Sequence, residues 1–422
     1  MERLPGFRDF YPDPLPHKDV WSASLRQHIF GAWRRAAARY GFREYDGPPL
    51  EPLELYTLKS GEEIVGQLYN FEDKGGRAVS LRPEMTPTLA RMVGAHERQY
   101  KKPIKWFAIP QLFRYERQQK GRLREHFQFN ADIFGESDPA ADAELIALLI
   151  DSLRELGLTE QDFVIRLSSR NAWAEFVASK NFTDAQSYAF YQIIDKLERE
   201  DESVSDKKLQ ELGFSLAIIQ DFIKAAKPTA ELQSVLDNLA ARGLERFVRI
   251  DYNVIRGLAY YTGIVFEAFD VKGEFRAIAG GGRYNNLVKL ISGGKVDLPA
   301  LGFGMGDVVL AELLKSRSLA PTDSERVHAF CMIEQEELRA ASLSLVQHMR
   351  DRGFIIEYSL TPMKGDKQFK RAQELNAGFT FRVERSESGD AAVRLKNLKT
   401  REEKLLDPAS AADFLQSETT KK

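Results

Sequence analysis

The stretch FRYERQQKGRLREHFQFNADIFG, Phe113 to Gly135, constrains the fold more than any other part of the chain. It sets two runs that alternate like strands on either side of a charged, glycine-containing segment. Five cations crowd it: Arg114, Arg117, Lys120, Arg122 and Arg124. At period two, Arg114 and Glu116 leave one face of the first run, and His126, Gln128, Asn130 and Asp132 leave one face of the second. The spacing predicts a hairpin whose cationic loop overhangs a polar platform with a carboxylate on its floor. Such a surface suits a nucleoside triphosphate with a small polar molecule beside it. On charge alone the segment is equally a solvated basic hairpin.

Composition narrows the class. With 422 residues, 43% hydrophobic and 29% charged, the chain suits a soluble globular protein of two or three domains. The formal net charge is −2, so any nucleic-acid contact must come from a local patch. The lone cysteine, Cys331, excludes an internal disulfide and any multi-cysteine metal site, and fits a reducing cytosol. No pair among the six histidines has metal-ligand spacing, so no metal site is expected. The longest apolar run, Ala143 to Ile150, is interrupted by Glu144 and is far too short to span a membrane. Met1 to Asp13 lacks the pattern of a secretory signal. Acidic and Pro-rich segments precede the basic stretch at about Val20 to Tyr40, which reads as a packed helix rather than a transit peptide. A cytoplasmic protein without a membrane partner is expected.

The patterning divides the chain. From Met1 to about Arg170, helices alternate with short strands. From about Asn171 to Arg246 helical patterning dominates, which predicts a helical insertion. Strands and glycines return at Phe247 to Gly306. After a polar break near Ala320 to Glu325, strand and helix alternate again, the mark of a small α/β domain with a mainly parallel sheet. The expected organisation is α+β: residues 1–324 with an insertion at about 171–246, then a second domain over 325–422.

Several segments carry chemistry. LRPEMTP, Leu81 to Pro87, is read as ending a strand, with Glu84 and Thr86 on one face. A carboxylate beside a hydroxyl can hold an ammonium ion, although a Glu near a helix start is commonly a capping group. RGLAYY places Arg256 and Gly257 before Tyr260 and Tyr261, an aromatic wall with hydroxyls or simply core. GGGRY, Gly280 to Tyr284, and GFGMGD, Gly302 to Asp307, are glycine-rich turns; Asp307 is placed to cap the helix that follows. Neither fits a dinucleotide fingerprint or a P-loop. A flat purine could lie on such a glycine floor.

In this order, these segments resemble the histidyl-tRNA synthetases, a family of class II aminoacyl-tRNA synthetases, over nearly the whole chain. GPPLEP, with Pro48, is similar to the first class motif at the dimer interface. FRYERQQKGRLR is similar to the second, RGLAYYTG to the histidine signature, and ALGFGMGD stands where the third belongs. KGDKQFKRAQELNAGFTFRV is similar to a stretch of the anticodon-binding domain. The resemblance implies a class II antiparallel-sheet catalytic core of six or more strands, a helical insertion, a C-terminal α/β anticodon-binding domain and a homodimer. It implies a ligase that activates L-histidine with ATP, accompanied by Mg²⁺, and passes the histidyl group to the 3′ end of histidine tRNA.

The resemblance also assigns roles. Arg114 and Arg256 become the catalytic cations at the α-phosphate and the reacting carboxylate. Glu84, Met85 and Thr86 take the α-ammonium end of histidine. Asp132 accepts from the imidazole N–H, Tyr260 or Tyr261 donates to the other nitrogen, and Gln128 completes the pocket. Arg114, Glu116, His126 and Gly304 are assigned to ATP. Arg117, Gln119 and Arg122 are assigned to the tRNA acceptor end, and Lys367 and Lys370 to tRNA in the second domain. From Glu325 onward, 17 basic residues face 16 acidic ones, so placement rather than bulk charge would bind RNA.

Three positions depart from the family pattern. Val309 stands where the third motif commonly carries an arginine against ATP, and Arg283 is the candidate replacement. His126 takes the place of a phenylalanine that stacks on adenine, and Ala259 that of an aspartate. The missing arginine also suits an alternative, a non-catalytic paralog serving as regulatory subunit of ATP phosphoribosyltransferase. The intact cationic hairpin and the full C-terminal domain oppose it.

Overall fold

The computed structural model describes residues 2–12, 21–60, 62–115, 123–198, 200–255, 261–321, 327–385 and 390–420. It separates into two compact units, Met1–Ala320 and Pro321–Lys422.

A nine-stranded sheet forms the centre of the first unit. Its order is Val248–Ile250, Phe163–Ser169, Ile264–Asp270, Ala279–Arg283, Ala300–Gly306, Glu125–Phe134, Ile104–Ala108 and Arg43–Glu44; Gln111–Phe113 pairs separately with Glu125–Phe134. Only the two outermost pairings are parallel; the rest are antiparallel. The expected antiparallel core is therefore present.

Alternation decides which side of the sheet is dry. Along Glu125–Phe134, Phe129, Ala131 and Ile133 point into the main core with Trp33 of the helix Ala23–Arg39. The Trp33 indole stacks on Phe129 at 5.5 Å. Against the same core lies Ala140–Arg154, whose residues Leu145 to Ile150 are all fully buried. The apolar run noted in the sequence is thus a core helix. No described helix is long and apolar enough to cross a membrane. Removing Phe129 to alanine from such packing would cost about 3–5 kcal/mol.

The insertion contains the helices Arg170–Val177, Asp184–Lys196, Glu202–Glu211, Leu216–Ala225 and Ala230–Ala241. Trp173 is its hub, with Phe222 at 4.7 Å and Phe190 at 5.5 Å. Thr183 and Gln186 form a reciprocal cap that starts the second of these helices.

The second unit holds a five-stranded sheet, ordered Ile356–Tyr358, Val327–Cys331, Ala377–Arg385, Ala391–Asn397, Glu403–Leu406. Two pairings are parallel and two antiparallel, which corrects the mainly parallel sheet expected above. Side-chain alternation is the same for either direction; what differs is the connection. Helices cross over between the first three strands, whereas Asn397 caps a tight turn that returns the chain as a hairpin.

Candidate active site

The hairpin read from the sequence is present. Gln111, Leu112 and Phe113 pair with Phe127, His126 and Glu125, and Arg114 N–H donates to Arg124 O at 2.9 Å. Residues 116–122 lie outside the described residues, so Glu116, Arg117, Gln119 and Arg122 are not placed. Arg256 and Tyr260 also lie outside them.

The face of Glu125–Phe134 opposite the core is the polar platform. Register sets Asp132 beside Gly302, Asn130 beside Gly304 and Gln128 beside Gly306. The glycines have a steric purpose there. A Cβ at position 302 would lie 1.9 Å from Asp132 Oδ1, and one at 304 would lie 2.7 Å from the Gln128 amide carbon. The bare strand leaves room for these side chains to lie flat over the sheet, a second reason for glycine besides the purine floor considered from sequence.

Asp132 is 1% exposed. Its Oδ1 accepts a hydrogen bond from the Tyr284 hydroxyl, while Oδ2 has no partner among the described residues. Burial pushes the carboxyl up to about 7, with the Tyr284 bond pulling partly the other way. Asn130 Oδ1 and the Tyr45 hydroxyl are also buried without described partners. Burial, and then the charge of Asp132, hold the Tyr45 phenol well above its ordinary range, so it stays a donor. Unsatisfied buried polar atoms grouped in this way are expected where a polar ligand completes them. Tyr45, Trp106 and Tyr261 pack partly buried against the cluster that contains Tyr284. Nothing in the GGGRY segment signals that Tyr284 is the partner of Asp132, and Tyr45, in EYDG, carries no signal either.

Glu84, Met85 and Thr86 are in a different setting from the one expected. The strand Ala78–Leu81 stops before them, and Thr86 opens the helix Thr86–His96, with Met85 at the cap position and Pro87 in the first turn. Period two therefore does not relate Glu84 to Thr86. The turn is nevertheless stitched to the hairpin. Phe113 N–H donates to Arg82 O at 3.0 Å, and Arg114 Nε donates to Pro83 O at 3.1 Å. These bonds set Arg114 next to the turn that carries Glu84.

Two assignments are overturned. Arg283 pairs in register with Leu301, a core residue, so strand parity sends it to the helix side. There its Nε and Nη2 donate to Asp142 at 2.8 and 2.5 Å, and it reaches the carbonyls of Glu136 and Asp138. A guanidinium so engaged, 6% exposed, does not replace an ATP-facing arginine. Asp307 is not the cap of its helix: Asp307–Ser316 is capped by Gly306 without a side-chain bond. Asp307 Oδ1 instead accepts from Phe127 N–H at 3.0 Å, and the carboxylate pairs with Arg8.

A family model described as histidyl-tRNA synthetase matches residues 13–307. The chain belongs to the histidyl-tRNA synthetase family. A model described as anticodon binding domain matches residues 324–418. The chain is 46% identical to a histidine–tRNA ligase of Opitutus terrae over 96% of its own length and 95% of that protein's. It is 37% identical to a chloroplastic and mitochondrial histidine–tRNA ligase of Arabidopsis thaliana, over 94% of this chain and 83% of that one. The solved histidyl-tRNA synthetase from Nostoc superposes with a TM-score of 0.80 at 23% identity, covering 98% of each chain, a likeness of fold. Val309 packs partly buried against the main core, so the third-motif helix presents an apolar side chain at the position of the family's usual arginine. Lys367 and Lys370 are exposed on the helix Gly365–Glu374 of the second unit.

Proposed function

We propose that this protein is a histidine–tRNA ligase. The observation that carries the reading is the buried Asp132 carboxylate, one oxygen held by Tyr284 and the other left for a ligand. A neutral imidazole offers one N–H and one bare nitrogen. Asp132 accepts from the N–H, a tyrosine hydroxyl at 260 or 261 donates to the other nitrogen, and Gln128 closes the pocket. Glu84, Met85 and Thr86 receive the α-ammonium group at the neighbouring turn.

In the first step the histidine carboxylate attacks the α-phosphorus of ATP and expels pyrophosphate. Negative charge builds on a crowded phosphate, so fixed cations matter more than an acid or base. Arg114, anchored through Nε to Pro83 O beside the turn that carries Glu84, is the cation at the α-phosphate; Arg256 is the second cation. Mg²⁺ enters with ATP as part of that substrate. His126 stacks on adenine, with Glu116 and Gly304 alongside. In the second step a ribose hydroxyl at the 3′ end of histidine tRNA attacks the carbonyl carbon of the adenylate, forming the ester as the acyl–phosphate bond breaks and AMP leaves. Arg117, Gln119 and Arg122 meet the acceptor end, and Lys367 and Lys370 meet tRNA in the second unit. The family also supports a homodimer and a cytoplasmic location.

The test is histidine-dependent exchange of pyrophosphate into ATP, with other amino acids as controls. Exchange with histidine alone is the expected result. Histidine binding without exchange, in folded protein with Mg²⁺, would favour the non-catalytic regulatory subunit.

A further inference from the structure

The N-terminal segment, absent from every role above, is strapped along the base of the hairpin. Arg124 N–H donates to Gly6 O at 3.0 Å. Gly6 has φ +86° and a Cβ there would lie 2.7 Å from the Arg124 side chain, so this close approach requires glycine. The Phe7 ring lies 6.4 Å from Phe113 and the Phe10 ring 6.0 Å from Phe127. The segment thus follows both strands of the hairpin.

Arg8 is the centre of this contact. Its Nε and Nη2 donate to the two oxygens of Glu125 at 2.6 and 3.2 Å, and its Nη1 and Nη2 donate to those of Asp307 at 2.8 and 3.3 Å. The Arg8, Glu125 and Asp307 side chains are 1%, 1% and 4% exposed. Phe10 and Trp21 lie within 5.0 Å of the guanidinium carbon. Each carboxylate has one further bond: Glu125 accepts from Gln111 at 3.0 Å and Asp307 from Phe127 N–H at 3.0 Å. One buried planar fork therefore joins three segments distant in sequence. Glu125 precedes His126 and pairs opposite Phe113, the neighbour of Arg114. Asp307 opens the helix that carries Val309 in place of an arginine.

We propose that Arg8 is a positioning residue for the ATP half of the site, clamping the hairpin strand to the third-motif helix. The cation that this helix lacks at position 309 enters from the N-terminal segment and acts beneath the site, through Glu125 and Asp307. A lysine is a point donor and cannot bridge two carboxylates bidentately, so Arg8→Lys keeps the charge and loses the clamp.

The inference rests on the ligase reading, so wild-type exchange is measured first; its absence with histidine would sink that reading, not the clamp alone. Given wild-type exchange, Arg8→Lys should raise the ATP KM about tenfold and lower the exchange kcat, with histidine KM within about twofold. Circular dichroism and Tm check that the variant is folded. Unchanged ATP parameters, or equal losses for ATP and histidine, would overturn the proposal, the latter indicating a merely structural role. If Arg8→Lys does not fold, Asp307→Asn retains the acceptor for Phe127 N–H and weakens only the clamp. It should move ATP KM in the same direction, and an unmoved ATP KM would overturn the proposal.

Discussion

Tyr284 donates its hydroxyl proton to Oδ1 of Asp132, across 152 residues of sequence, and leaves Oδ2 without a described partner. That division of a single carboxylate orients it. The hydroxyl stabilises the charged form against burial and limits the directions in which the other oxygen can accept.

Tyr284→Phe removes that donor with little change of shape. A hydrogen bond to a charged group is worth about 1.5–3 kcal/mol, so histidine KM should rise by roughly tenfold or more while ATP KM stays near wild type. Exchange kinetics varying each substrate would decide, and an unmoved histidine KM would remove Tyr284 from the pocket.

Asp132→Asn separates affinity from stability. The folded carboxyl titrates at about 7 against 3.8 ordinarily, so between these values the folded state holds a proton that the unfolded chain has released. Stability from this group is full below about pH 4 and is lost as pH rises through about 7. The amide does not titrate. Its stability relative to wild type should therefore climb across that window, by on the order of 4 kcal/mol at most. Urea midpoints at pH 5 and pH 8 would show it; parallel profiles would contradict it. Histidine KM should rise in the same variant.

Gly302→Ala is a steric test of the platform. The new Cβ would fall 1.9 Å from Asp132 Oδ1, with the Ala131 carbonyl 3.1 Å away on the backbone side. The carboxylate must swing aside, so histidine affinity should fall at least about tenfold, much as misplacing a positioned group by an ångström costs. Retention of wild-type histidine binding in a folded variant would refute the packing described.

Arg283→Ala tests the correction at that position. It strands Asp142, which is fully buried, and loss of one partner of a buried pair costs about 3–5 kcal/mol. A lowered Tm with an unchanged ATP KM is expected. A selective rise in ATP KM without loss of stability would restore the residue to the nucleotide.

Arg114→Ala should slow adenylate formation by about 100-fold or more, the scale of losing one transition-state donor. Single-turnover activation measures it directly. A near-normal rate in folded protein would mean that another cation faces the α-phosphate.

Much of this was legible in the chain itself. Period two along His126, Gln128, Asn130 and Asp132 identified the platform face, because side chains of a strand alternate whatever its neighbours are. The charged glycine-containing link announced the hairpin, the uninterrupted helical patterning announced the insertion, and motif order pointed to the family. Local pattern was less reliable at element ends. Glu84 and Thr86 looked like alternate strand positions, but the strand stops at Leu81, and Asp307 looked like a cap but turns inward to Arg8 and Phe127.

What the sequence determined by itself was therefore periodic and local: which runs are strands, which are helices, and which faces are polar. Partnership was decided by the tertiary structure. Nothing near Arg283 in the chain indicates that it faces Asp142, since that depends on the register of Ala279–Arg283 against its neighbours. Nor does anything near Asp132 or Arg8 name Tyr284, Glu125 or Asp307. Those pairings form only when strands and segments far apart in the chain meet in a dry interior, where an unpaired charge is too costly to leave and partners are chosen by proximity.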